Sequence, residues 1–387
     1  MEYDISILKG ICHTTNSESE RIAYSIDSSR IKGNALAITW PENAEQLQKI
    51  MRNATRERVP LTPRGGGTSL VGGAVPQNSV VVDMSRFNKI KKIDIRDKIA
   101  IVEAGVILDD LDDVLKKYNL EFPIKPGSHA ACTIGGMIAT NAGGMMTKRF
   151  GKVADWVEVI RIMDGTGKVF NLEGNDIKEF SGTEGCCAIV LEAKLKLNEL
   201  AENHSTDFFE FNDIPSMIDK LNEVKNDNDA VAVEYISSLA AKAAGLKEKE
   251  YLLVKYEGTK GSIDVARSEN IWKMRENIYS ILVDAGYSKI EDPLIENNID
   301  TFIDWLKKQE MPCFGHIAFG VLHPHFKTEE DREKINDAVK EINGKPCGEH
   351  GVGILKRRTA PFAFVQKIKM LKEKYDPYGI LNKGKVL

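Results

Sequence analysis

The chain has 387 residues, 42% of them hydrophobic, enough for two modest cores, so two domains are expected. Its 53 Lys and Arg against 57 Asp and Glu give a net charge of -4 with no basic block, which excludes the electrostatic footprint of a nucleic-acid binder. No apolar run reaches the roughly 18 residues of a membrane span, the start Met1-Glu2-Tyr3-Asp4 is acidic where a signal peptide is basic, and the six cysteines contain no Cys-x-x-Cys pair. The expectation is a cytoplasmic protein with reduced thiols, any membrane contact being peripheral; homo-oligomerisation is left open.

Apolar residues at Ala44, Leu47, Ile50, Met51 and Ala54 keep helical spacing, and Val59-Pro60-Leu61 reads as a short strand leading into Pro63-Arg64-Gly65-Gly66-Gly67. Val80 to Val82 and Ile101-Val102 read as strands, and Leu108, Leu111, Val114, Leu115 and Tyr118 line a helix that ends before Pro123. Val157 to Ile162 runs into Asp164-Gly165-Thr166-Gly167 and out through Val169-Phe170, a hairpin signal, and Ile189 to Leu197 alternates as a half-buried strand does. A polar stretch from Asn198 to Asn203 marks a boundary near residue 200. Beyond it the order is strand, helix (Ile214 to Val224), strand (Val231 to Tyr235), strand (Tyr251 to Tyr256), long helix (about Ser262 to Ala285), and strands near Phe314 and Val321. This α+β order resembles a ferredoxin-like split βαβ cap. Residues 360–387 read as a helix and tail returning to the first domain.

Two glycine-rich runs carry the first chemical signal. Residues 63–76 and 133–144 each place several glycines where bare backbone N–H groups could meet a phosphate, as a large dinucleotide such as FAD requires. The first run lacks the Gly-Lys-Ser/Thr ending of a P-loop, and no Gly-x-Gly-x-x-Gly opens a helix after a first strand.

The second signal is a cluster of histidines. Four of the chain's seven fall at 316, 323, 325 and 350, with Glu349 beside the last. Two imidazoles and a carboxylate suit a divalent cation, and His316, His323 and Glu349 are the expected ligands. Because 316 and 323 differ by an odd number, one flat strand would point them to opposite faces, so a bend or bulge at Gly320 is expected.

With these residues stated, the chain resembles the FAD-linked D-2-hydroxyacid dehydrogenases, the D-lactate dehydrogenase and glycolate oxidase flavoprotein group of the vanillyl-alcohol oxidase superfamily. The likeness runs from Tyr24-Ser25-Ile26-Asp27 to Asp376-Pro377-Tyr378-Gly379-Ile380-Leu381-Asn382. It implies a two-subdomain FAD-binding domain of the PCMH type over residues 1–200, completed by residues 360–387, with a cap, or substrate, domain over 201–359. It places noncovalent FAD against Arg64, Gly65, Gly66, Gly67, Thr68, Ser69, Leu70 and Gly73, then Pro126, Gly127, Ser128, Thr133, Gly135, Gly136, Ala139 and Asn141, then Glu184, Gly185 and Ile189, and finally Asn382. The stretch Gly182 to Ile189 departs from the family's Gly-Ser-Glu-Gly-Thr-Leu-Gly-Ile at Cys186, Cys187 and Ala188, where the two cysteines read as small buried fillers.

The resemblance also implies zinc or a similar cation on the two histidines and the glutamate, and a carboxylate clamp at Arg275 and Lys289. Solvated helix-face charges are the alternative for those two. Ala318, Phe319 and Val321 replace the family's Gly, Asp and Asn beside the presumed metal. The expected reaction is oxidation of a small D-2-hydroxy acid, of the D-lactate, glycolate or D-2-hydroxyglutarate type. The cation acidifies the hydroxyl, His350 takes its proton, and flavin N5 accepts the C2 hydride. Electrons then pass to a quinone, an electron-transfer protein, an iron–sulfur subunit or oxygen. The competing expectations are a non-catalytic FAD-carrying subunit of a larger oxidase complex and, less well supported by residues 63–189, a metal hydrolase.

Overall fold

A computed structural model describes residues 6–387, so the acidic start lies outside the described residues. The first sheet has four strands in the order His13–Thr15, Asn34–Trp40, Gln77–Asp83, Leu61–Arg64. The last three are parallel. The expected helix, Ala44–Glu57, is the crossover from Asn34–Trp40 to Leu61–Arg64 on the two sides of Gln77–Asp83. Asn43 starts this helix by accepting from Gln46 N, and Arg58 ends it at φ 57. Leu47, Ile50, Met51 and Ala54 are buried against the sheet; the three larger ones contribute on the order of 2 kcal/mol each. The crossover sets the carboxyl end of Leu61–Arg64 directly before the first glycine run, where open α/β sheets bind ligands.

A second, antiparallel sheet follows in the order Ile90–Asp94, Ile99–Glu103, Ala188–Lys196, Val157–Asp164, Val169–Glu173. The last two strands form the expected hairpin. Helices Leu108–Leu115 and Ile134–Thr140 pack into its core with Phe122, Phe180, Cys186 and Cys187. Burial pushes both thiols well up, Cys187 to about 12, so they stay protonated fillers. All six cysteines are free. Helix Phe362–Tyr375 adds Ile368 and Tyr375 to the same core, and the tail continues onto the first sheet, where Leu61 N donates to Ile380 O at 2.8 Å and Asn382 N to Leu61 O at 2.7 Å.

The rest of the chain builds a six-stranded antiparallel sheet in the order His204–Phe211, Glu250–Glu257, Ala230–Ile236, Cys313–His316, Val321–Phe326, Lys289–Ile290. Helices Ile214–Val224, Ile299–Lys308 and Glu329–Glu341 cover one face; Ser238–Ala243 and Val265–Asp284 cover the other. The first three strands take the 1-3-2 order of the split βαβ arrangement. Among the described residues, no fourth strand then returns beside the first. The long helix has 20 residues, about 30 Å, close to the width of six strands at about 4.8 Å each. It therefore carries the chain to the far edge, and the sheet grows on that side.

That growth resolves the parity of the two histidines. Cys313–His316 and Val321–Phe326 are the arms of a hairpin, joined by a turn of 3-10 helix at Ile317–Phe319 and by Gly320 at φ 83. His316 stands opposite Val321, and His323 opposite Phe314. Since 314 and 316 share a face, so do His316 and His323. A chain reversal, not a bulge in one strand, puts the two imidazoles together. No helix among the described residues is long and apolar enough to cross a membrane.

Candidate active site

A cavity of about 460 Å³ lies between the two glycine runs and the cap. Every residue expected to hold the cofactor lines it except Asn141 and Asn382. Those two brace the wall from behind. Asn141 ends helix Ile134–Thr140 at φ 49 and accepts from Ala154 N; Asn382 Nδ2 donates to Gly73 O at 3.0 Å and Glu184 O at 2.6 Å.

The cradle depends on glycine at particular atoms. A Cβ on Gly66 would sit 1.9 Å from Ala131 O, and Gly67 adopts φ +68. Among the described residues, no backbone N–H from Gly65 to Leu70 donates to a protein acceptor. A run of unpaired N–H groups at a cavity wall is a natural anion site, and it fits a pyrophosphate. Thr133 caps the following helix by accepting from Gly136 N. Glu184, also on the wall, accepts Val352 N at 2.7 Å and Gly353 N at 2.8 Å, which ties the cradle to the loop after His350. Burial pushes its carboxyl up to about 7 against the pull of those two N–H groups. His129, in the same region, turns its Nδ1 to Asp109 Oδ1 at 2.7 Å.

On the cap side, His316, His323 and Glu349 converge, with their donor atoms all within 4.8 Å of one another. Glu349 Oε2 is 3.4 Å from His316 Nε2 and 3.7 Å from His323 Nε2. Ligands about 2.0 Å from a tetrahedral zinc stand about 3.3 Å apart, so the two Glu349–histidine separations are close to those such a cation needs. Burial alone would lower the His316 pKa, but the carboxylates of Glu234 and Glu349 raise it to about 10. His323 is held well below its usual value by burial and by the neighbouring His350 and His316. Burial would raise Glu349, yet His316 holds it far down.

The fourth histidine, His325, is outside this set: its Nδ1 faces Tyr287 O at 3.1 Å. His350 lines the cavity, stacked on His323 with ring centroids 5.1 Å apart. Ala318 and Phe319 sit at the tip of the hairpin, and Val321 is buried opposite His316, on the face that carries both histidines.

Arg275 reaches the cavity from the long helix, its Cζ 4.4 Å from the centre of the Phe314 ring. Its Nε and Nη2 are bonded to Glu234 Oε2. The side-on edge of the guanidinium is therefore taken, and Nη1 is left without a protein partner among the described residues. Lys289 stands apart. Its Nζ bonds Glu329 Oε1 at 2.6 Å, and the neighbour that lines the cavity is Ile290.

Three buried residues behind the site have no counterpart in the sequence reading. Glu234 joins Arg275 to His316, whose Nδ1 lies 2.6 Å from Glu234 Oε1. Asp292 accepts the N–H groups of Glu349 and His350 at 2.6 and 2.7 Å and is paired with buried Lys356. Burial would raise Asp292, but Lys356 and His350 hold it well below the usual range. A lone Glu in the apolar run Ala230–Ile236 was the one available signal.

A dinucleotide cradle in one lobe, facing a charged and metal-competent wall in the other, defines a two-lobed cofactor-dependent oxidoreductase. Residues 35–173 match the FAD binding domain family, and residues 223–386 match the C-terminal domain of the FAD linked oxidases. The chain belongs to the FAD-linked oxidases, and FAD is its cofactor. It is 27% identical to D-2-hydroxyglutarate dehydrogenase of Stutzerimonas stutzeri, over 90% of each chain. It is 28% identical to D-lactate dehydrogenase of Archaeoglobus fulgidus (90% of this chain, 91% of that one) and 27% identical to the glycolate oxidase subunit GlcD of Bacillus subtilis (96% and 93%). Among solved structures, an alkyldihydroxyacetonephosphate synthase superposes with a TM-score of 0.74 over 99% of this chain and 86% of its own; at 18% identity this likeness concerns the fold alone.

Proposed function

We propose that this enzyme oxidises a small D-2-hydroxy acid, of the D-lactate, glycolate or D-2-hydroxyglutarate type, to the 2-oxo acid. One observation carries the reading: Arg275, the His316, His323 and Glu349 cluster, and His350 all face the cavity that the glycine cradle lines. Residues 64–73, 126–140 and 184–189 would hold FAD, which would supply a two-electron acceptor for the C2 hydride, and His316, His323 and Glu349 would hold a divalent cation such as zinc, which would supply positive charge to the substrate hydroxyl.

The protein's own groups do the rest. Arg275 Nη1 binds the substrate carboxylate, oriented by Glu234 on one side and the Phe314 ring below. His350 takes the hydroxyl proton as general base, its ring set by Asp292. Phe314 and Tyr279, which also line the cavity, exclude water from it. The electrons leave to a separate acceptor, a quinone, an electron-transfer protein, an iron–sulfur subunit or oxygen.

The test is anaerobic mixing of the yellow protein with D- and L-hydroxy acids while flavin absorption is followed. A D-2-hydroxy acid should bleach it, and His350→Ala, with FAD still bound, should slow bleaching about 10² to 10⁴-fold. Unchanged bleaching in that variant would remove His350 as the base. A yellow protein reduced by no hydroxy acid would instead mark a passive FAD carrier.

A further inference from the structure

Glu234 lies in the strand Ala230–Ile236, whose other members are aliphatic apart from Tyr235, and it is fully buried. An apolar side chain would satisfy the packing of such a position. A carboxylate there carries a heavy desolvation penalty unless charged partners offset it. Both partners of Glu234 belong to the cavity wall. Oε2 binds Arg275 through Nε at 2.9 Å and through Nη2, and Oε1 faces His316 Nδ1 at 2.6 Å.

We infer that Glu234 is a positioning residue that sets the Arg275 guanidinium and the first histidine of the cluster as one unit. The inference rests on the site roles proposed above. On the His316 side, an Nδ1–H donated to Oε1 leaves the Nε2 lone pair pointing toward Glu349 and His323, the tautomer a cation needs. On the Arg275 side, the bonds to Oε2 hold the guanidinium over the Phe314 ring and leave Nη1 as the nitrogen without a protein partner among the described residues. The same carboxylate thus fixes how far the anion-binding nitrogen lies from the cation site, the distance that a 2-hydroxy acid must span between its carboxylate and its hydroxyl.

The experiment uses FAD-loaded protein and two binding readouts that do not depend on turnover. Zinc affinity is measured by competition with a chromophoric chelator, and pyruvate affinity by perturbation of the flavin spectrum. Glu234→Gln keeps the shape but removes the charge. It should weaken zinc about 10 to 100-fold and pyruvate about tenfold, with FAD content retained. Glu234→Asp keeps the charge but is one methylene too short to reach both partners. It should show both losses as well, and it serves if the Gln variant does not fold. Zinc and pyruvate affinities within twofold of wild type in either folded variant would overturn the inference. So would loss of zinc affinity alone, because Glu234 would then serve His316 only. Wild-type protein that binds neither probe would instead sink the functional reading beneath it.

Discussion

Asp292 grips His350 twice: its Oδ2 accepts the His350 backbone N–H at 2.7 Å, and its Oδ1 lies 3.4 Å from the His350 ring Nδ1. A carboxylate in that place favours a proton on Nδ1 and leaves Nε2 free to take one from substrate. Asp292→Asn keeps an oxygen for the backbone but can set an amide N–H against the ring. Flavin reduction at saturating hydroxy acid should fall about 10² to 10⁴-fold, with a smaller change in KM. Stopped-flow reduction of FAD-replete variant checks this, and a wild-type rate would detach Asp292 from the base.

Arg275 separates a working residue from a surface charge. A solvated helix-face arginine can be lost with little effect, whereas Arg275 is buried and is Glu234's guanidinium partner. Arg275→Ala should raise KM for the hydroxy acid about 10-fold or more. It should also destabilise the fold by about 3 to 5 kcal/mol, because a buried carboxylate loses its counter-ion. Urea unfolding beside steady-state kinetics reads both effects. Lys289→Ala, whose Nζ is spent on exposed Glu329, should change KM little.

Removing a bound cation tests the cluster directly. Chelation followed by desalting should slow substrate-driven bleaching by about 100-fold or more, and added zinc should restore it. Metal analysis of the treated sample is the control. Full activity in demonstrably metal-free protein would take the cation out of the reaction.

How much of this was legible in the sequence depended on whether a residue's role is local. The helix Ala44–Glu57 and the hairpin across Asp164 to Gly167 could be read because periodicity and turn chemistry act within a few residues. The glycine cradle could be read because a Cβ at Gly66 has nowhere to go. The histidine cluster showed as a density of rare residues, but a turn and a bulge at Gly320 look alike until pairing register is known. Asp292 precedes a proline and reads as a turn residue, and Lys356 begins a Lys-Arg-Arg run that reads as solvated. Their burial comes from contacts 64 positions apart. Lys289 shows the converse: its place near the site is local, but the direction of its side chain is set by Glu329, 40 positions on.

His325 gives the protein an acid-side liability that stability measurements can isolate. It is fully buried between Phe314 and Tyr279, its Nδ1 faces Tyr287 O, and its Nε2 has no partner among the described residues. An imidazolium would have nowhere to place its second proton, and burial lowers the pKa from 6.5 to about 4. The unfolded chain therefore binds more protons than the folded one between these values, so stability rises with pH across that window. The contribution is complete above about 6.5 and is lost as pH falls toward 4, on the order of 3 kcal/mol in total. His325→Gln can keep a donor for Tyr287 O and cannot charge. Between pH 6.5 and 4.5 it should lose less stability than wild type by roughly 2 kcal/mol, measured by urea unfolding at each pH. Parallel pH profiles for the two proteins would show that His325 does not titrate in this range.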